Sequence, residues 1–131
     1  MVSGYLLDTS VFVAAEQERD LGDPPPGEAR VCVATLTELV LGVHRTEPGS
    51  ARRVREETLR RAQSFIAMPY DEAVARHLGR LLAVARTQRR RAGFMDAIIA
   101  ATALAHDLVV WTRDDDFDVL AELVPALRVC R

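Results

Sequence analysis

Apolar and polar positions follow two rhythms along this chain. Short apolar runs recur at Tyr5-Leu6-Leu7, at Val31-Cys32-Val33, and over residues 66–68, 108–111 and 127–130. Runs of that length, flanked by polar or turn residues, predict buried strands. Between them the apolar residues fall three or four apart. Leu36, Leu39, Val40 and Val43 make one such stripe, and Val74, Leu78, Leu81, Leu82 and Ala85 another, over residues 71–87. Ala97, Ile98, Ala101 and Ala105 make a third. Each stripe predicts a helix with one face against a core.

The breaks agree with this division. Gly22-Asp23-Pro24-Pro25-Pro26-Gly27 excludes helix and central strand, because proline lacks the amide proton and glycine disfavours order, so a surface loop is expected. Thr35-Leu36-Thr37-Glu38 has the form of a capping box opening the second helix, and Pro48-Gly49 ends it. A brief helix is expected over residues 11–16, a charged one over 51–65, and an acidic one over 114–123. Strands alternating with helices predict an α/β domain, a central mainly parallel β-sheet flanked by helices. The 131 residues suit a single domain over 1–131, without internal repeats or low-complexity tracts.

Composition narrows the functions open to such a domain. Hydrophobic residues make up 49% of the chain, enough for a sizeable core, yet no apolar run approaches the roughly 18 residues of a membrane helix. Met1-Val2-Ser3-Gly4 lacks the basic start and apolar stretch of a secretory leader, so a cytoplasmic location is expected. Cys32 and Cys130 belong to no Cys-x-x-Cys pair and are expected as buried thiols in strands. His44, His77 and His106 fall on predicted helices at no metal-ligand spacing. All 17 basic residues are arginine. With no lysine, a Walker A loop and Schiff-base chemistry are excluded. No Gly-x-Gly-x-x-Gly follows the first strand, which argues against dinucleotide binding.

The acidic residues carry the candidate chemistry. Ligands of open parallel sheets bind beyond the carboxyl ends of the strands, where strand order reverses. Asp8 ends the first strand, and Asp114 follows the strand ending in Trp111-Thr112. Glu38 lies in the first turn of the helix after the second strand, and Asp96 opens the helix before the Trp111 strand. Four carboxylates far apart in sequence would then meet at one sheet edge, as a hard divalent cation requires. Each also has a plainer role. Asp8 can cap the helix after it, and Glu38 can complete the capping box with Thr35. Asp96 suits a helix dipole, and Asp114, Asp115, Asp116 and Asp118 can be a solvated helix start. Only their joint placement favours a site.

Leu7-Asp8-Thr9-Ser10-Val11, Thr35-x-x-Glu38-Leu39, Asp96-Ala97-x-Ile99-Ala100-Ala101-Thr102-Ala103 and Trp111-Thr112-Arg113-Asp114-x-Asp116-Phe117 resemble the four signature blocks of PIN-domain nucleases. Size and order resemble the VapC-type toxins of bacterial toxin–antitoxin pairs. The resemblance implies an acidic site of Asp8, Glu38, Asp96 and Asp114, with Asp116 as helper or substitute, holding one or two Mg²⁺ ions that Mn²⁺ can replace. Thr9 or Ser10, and Thr112, match positions that contact the metal site through hydroxyls. The implied activity is endoribonuclease cleavage of RNA to a 5′-phosphate and a 3′-hydroxyl. The implied partners are a small VapB-type antitoxin, whose C-terminal segment would cover the groove, and a second copy in a homodimer.

An acidic site repels RNA, so a basic rim is expected to compensate. Arg86, Arg89, Arg90 and Arg91 precede Gly93 and Asp96, and Arg113 adjoins Asp114, which makes these the candidate RNA contacts. Arg52, Arg53, Arg60 and Arg61 alternate with Glu56 and Glu57 and are expected to pair on a helix surface. Aromatics, at 5%, are too sparse for a base-stacking platform. Two other readings stay open. A strand-end Asp can be a phosphoryl-accepting nucleophile, but haloacid-dehalogenase-like phosphatases need an acid where Ser10 stands, and normally a lysine. A catalytically inactive PIN-like module binding RNA or protein would be expected to have lost site acids, whereas all four are present.

Overall fold

The structure, a computed structural model, describes residues 4–131, so the reading of Met1, Val2 and Ser3 lies outside the described residues. The chain runs β1 (Gly4–Leu7), α1 (Thr9–Glu16), β2 (Glu28–Cys32), α2 (Val33–His44), α3 (Ser50–Gln63) and β3 (Ile66–Met68). It continues through α4 (Glu72–Thr87), α5 (Phe94–His106), β4 (Val109–Trp111), α6 (Asp116–Leu123) and β5 (Val129–Cys130). The five strands form one sheet in the order β3-β2-β1-β4-β5, and every pairing is parallel.

That order places β1 at the centre. The chain first builds outward through β2 and β3, then crosses back to lay β4 and β5 on the other side. The strand order therefore reverses between β1 and β4, and the crevice beyond their carboxyl ends opens there. Leu7 is in register with Trp111 and with Val31, so three strands stop at the same level.

Alternation along the strands divides the core in two. Leu6, Cys32 and Val110 face one layer, packed with Val74, Leu78, Leu81, Ile99, Phe117 and Leu120. Tyr5, Leu7, Val31 and Trp111 face the other, with Val11, Phe12, Leu39 and Ala62. At the rim of the sheet Gly4, with φ of 153°, lies so close to the Glu28 backbone that a Cβ would run into the Glu28 carbonyl.

Several local expectations need correction. The second strand ends at Cys32, and Val33 is already helical, because the Cys32 Sγ accepts from the Ala34 amide and caps α2 there. Thr35 is thus inside the helix, fully buried with its hydroxyl unpartnered, and there is no capping box. On α5 the buried positions are Ala97 and Ile99 to Ala103, with Ile98 and Ala105 only half-buried. This helix touches α4, α2, α6, β1 and β4, so it is enclosed on most sides and a one-faced stripe does not describe it. Cys130 is half-buried on the edge strand β5, and both thiols are free. The acidic helix starts at Asp116, and the last strand is only Val129–Cys130.

Candidate metal centre

The site is built where β1 and β4 stop. Asp8 follows β1 directly and caps α1, its carboxylate accepting from the Ser10 amide at 3.3 Å. Its own amide donates to the Trp111 carbonyl at 2.9 Å, which ties the end of β1 to the end of β4. The Asp8 side chain is only 2% exposed. Burying a carboxylate is costly unless hydrogen bonds replace the lost water. Here Asp8 Oδ2 also accepts from Ser10 Oγ at 2.7 Å and from Thr112 Oγ1 at 2.9 Å. Ser10 Oγ in turn accepts from the Arg113 amide at 2.8 Å, and Thr112 Oγ1 from the Asp114 amide at 2.9 Å. A network of two hydroxyls therefore fixes Asp8 to the segment that carries Asp114.

Glu38 reaches the same place from α2. Thr9 Oγ1 donates to its Oε1 at 2.6 Å, spanning α1 and α2. Burial pushes the Glu38 carboxyl up, the Thr9 hydrogen bond partly offsets this, and Asp8 and Asp114 add to the rise. Asp96 projects from the first turn of α5, which begins at Gly93. Its carboxyl is pushed up to about 7, first by burial and then by repulsion from Asp8, Asp114, Glu38 and Asp116. Asp114 accepts from the Asp116 amide at 2.9 Å, folding the acidic turn back on itself.

Three of these acids close on a small volume: carboxylate oxygens of Asp96, Asp114 and Asp116 lie within 4.8 Å of one another. Three hard anionic oxygens at that spacing suit a divalent cation of the Mg²⁺ class better than a proton network. The fit extends to the wider cleft of about 570 Å³, which Asp8, Thr9, Ser10 and Glu38 also line. All five sequence-predicted acids thus share one cleft, but only three of them form the tight cluster. Asp8 and Glu38 line the same cleft, each already engaged by hydroxyls. Both Asp114 and Asp116 belong to the cluster.

The rest of the acidic stretch is engaged by the C-terminal arginine, although Asp115 also lines the cleft. Asp115 and Asp118 pair with Arg131. On α3, Arg52 pairs with Glu56, and Arg60 and Arg61 with Glu57, as the helical spacing predicts. His106 lies 3.3 Å from Asp71 at the start of α4, away from the acids.

The basic candidates are spread unevenly. Arg113 lines the acidic cleft, its guanidinium donating to the Leu21 carbonyl at 3.4 Å. Arg86, Arg89, Arg90 and Arg91 line a different and larger groove of about 1070 Å³ along the α4–α5 turn. Arg90 is held there by Glu122 at 3.2 Å. Arg19 also lines the acidic cleft and was not picked out from the sequence. It follows a helix end closed by Glu18 in the left-handed region, at φ of 57°, with the Arg19 amide donating to the Ala14 carbonyl at 2.9 Å. No glycine or asparagine marks that turn, so nothing in the local pattern signals it.

The PIN domain family matches residues 5–123. Ribonuclease VapC4 of Mycobacterium tuberculosis is 37% identical over 119 residues, covering 90% of this chain and 92% of that protein. Ribonuclease VapC5 of the same organism is 37% identical over 127 residues, covering 95% and 94%. The crystal structure of VapBC-5 from M. tuberculosis, described as a member of the VapBC family of toxin–antitoxin systems, superposes with a TM-score of 0.86 at 32% identity, over 98% of both chains.

Proposed function

The chain belongs to the PIN-domain family, alongside the VapC ribonucleases, and from that premise we propose that it is a divalent-metal-dependent endoribonuclease and the toxin of a toxin–antitoxin pair. The observation that carries this reading is the carboxylate cluster of Asp96, Asp114 and Asp116 at the strand-order reversal. Residues 1–131 act in it as one nuclease domain.

Asp96, Asp114 and Asp116 would hold the ion, with Asp8 from the same cleft as a further oxygen ligand. A bound Mg²⁺ or Mn²⁺ would acidify a water and offset the charge that builds on the phosphate. Ser10 and Thr112 hold Asp8 in place, because both donate to Oδ2. Thr9 holds Glu38 through Oε1, which leaves Oε2 to take a proton from the attacking water. Mutual repulsion among the acids is what the ion relieves, so it binds where the protein alone is electrostatically strained.

A VapB-type antitoxin is the expected partner. Leu39 and Val43 are buried and Leu36 is half-buried, so these belong to the core, whereas Val40, Leu41 and Val54 stay exposed on α2 and α3. The latter are the apolar residues offered to a partner, and a second copy of the chain in a homodimer competes for the same description.

Cleavage of total cellular RNA by the purified protein, with Mg²⁺ or Mn²⁺, tests the reading. EDTA should stop it, and Asp96→Asn should slow it at least about 100-fold, more than the loss of an outer-shell partner would. Cutting that survives Asp96→Asn would show the site to be wrongly drawn. Folded, antitoxin-free protein that cuts nothing under either metal would favour a binding module.

A further inference from the structure

We propose that single-stranded RNA lies in a continuous track through four adjoining clefts, with the acids at its middle and unpaired arginines at both ends, and that Arg45 and Arg91 are its phosphate contacts on the two flanks. The inference rests on the nuclease reading above and adds to it how the substrate is held.

Shared lining residues set the four clefts side by side. A polar cleft of about 450 Å³, which contains Arg45, Thr46 and Arg55, shares Thr9 and Glu38 with the acidic cleft. On the other side the acidic cleft shares Asp96 and Asp116 with a pocket of about 220 Å³. That pocket shares Arg91, Ala92 and Gly93 with the large groove of the α4–α5 turn. The order of charge along this path is basic, acidic, basic.

Phosphates are repelled from the middle except where an ion intervenes, so affinity for the strand must come from the flanks. Which arginines can supply it is decided by their existing partners. Arg55 is taken by Glu16 at 3.3 Å, and Arg90 by Glu122 at 3.2 Å. Arg45 and Arg91, with Arg86 and Arg89, have no ion-pair partner among the described residues. Arg45 is fixed in place as the C-cap of α2, its amide donating to the Leu41 carbonyl at 2.9 Å. The negative end of that helix would reject a phosphate without such a cation. On the α2 side Arg45 alone of the two arginines lining the cleft is unpaired, a single phosphate contact that fits one strand rather than the two phosphate rows of a duplex. Holding both flanks also means that no chain end is needed at the acids, which makes cleavage internal.

Arg45 could instead serve only to complement the helix end. Salt dependence separates the two roles, because each lost phosphate contact on a single strand lowers the slope of log K against log salt by about 0.7. The experiment is fluorescence anisotropy of a labelled oligouridylate in EDTA, across a salt series. Arg45→Ala and Arg91→Ala should each weaken binding about two- to fivefold, the range for an exposed ion pair. Each should lower the slope by about 0.7 and the double variant by about 1.4. Arg80→Ala, an exposed residue of α4 that lines none of these clefts, should leave the slope unchanged. An unchanged slope in either track variant, with its folding confirmed by circular dichroism, overturns the track, as does failure of the wild-type protein to bind the oligonucleotide. If Asp96-dependent cleavage persists while the slopes do not move, the nuclease reading stands and the track falls. Slopes that fall as expected in a protein that cuts nothing would leave the track and remove the nuclease.

Discussion

At the scale of single residues, the site is a set of carboxylates held against their own repulsion. Asp8 is buried and depends on two hydroxyl donors, Ser10 and Thr112. Thr112→Val keeps the shape and removes one donor, so it should destabilise the fold by about 1–3 kcal/mol, measurable by urea unfolding. Asp96 is the group most exposed to that repulsion. An ordinary aspartate ionises near 3.8, whereas folding pushes Asp96 up to about 7. Between those values the folded chain keeps a proton that the unfolded chain has lost. Its contribution to stability is therefore present below about pH 4 and is lost as pH rises toward 7. In metal-free protein Tm should fall over that window, and Asp96→Asn should flatten the fall. At pH 8 the variant should melt higher than wild type. The gain should be on the order of 1 kcal/mol, allowing for solvent screening of a partly exposed group, or about 3–5 °C in a domain of this size. A variant that melts lower than wild type at pH 8 would show that Asp96 is stabilised by contacts rather than strained by charge.

At the scale of elements, short caps decide where each acid ends up. The Asp8 cap starts α1, the Cys32 thiol starts α2 three residues before Thr35, and Gly93 starts α5 three residues before Asp96. The cap of α4 is separate from the chemistry: Asp71 accepts from the Val74 amide at 3.0 Å. Asp71→Ala should therefore cost about 0.5–2 kcal/mol of stability, seen as a lower Tm, with RNA cleavage at moderate temperature unchanged. Loss of cleavage alongside normal folding would mean that α4 positions the site. The rim of the sheet gives a sharper element-level expectation. Gly4→Ala puts a methyl group into the Glu28 backbone and should break the start of the β1–β2 pairing, reducing the yield of folded protein.

At the scale of the whole molecule, the cluster joins distant parts of the chain: Asp96 belongs to α5, Asp114 to the loop after β4 and Asp116 to α6. An ion bound there would cross-link α5, the loop after β4 and α6 in the folded state only. Mg²⁺ at about 100 times its Kd should raise stability by about 2.7 kcal/mol, read as a rise in Tm. Asp114→Asn should remove most of that rise, and an undiminished rise would place the ion elsewhere.

The sequence by itself determined the alternation of strands and helices and the sheet class, and it put Asp8, Glu38, Asp96 and Asp114 near strand ends and helix starts, because those positions are set by local pattern; Asp116 entered only through the family resemblance. Asp8 after Leu7 and Asp114 after Trp111 could be located by counting along apolar runs. Local pattern failed where the third dimension intervened. The Thr35 box looked sound, but a buried Cys32 capped the helix first. The stripe on α5 was misplaced because contacts on most of its sides bury most of its positions. Only the tertiary structure decided that Asp96, Asp114 and Asp116 cluster in a cleft that Asp8 and Glu38 also line, that Arg90 is spent on Glu122, and that Arg19 and Arg45 border the acids. Those facts depend on distances between segments far apart in the chain, and sequence spacing carries no measure of them until the parallel sheet brings the segments to one edge.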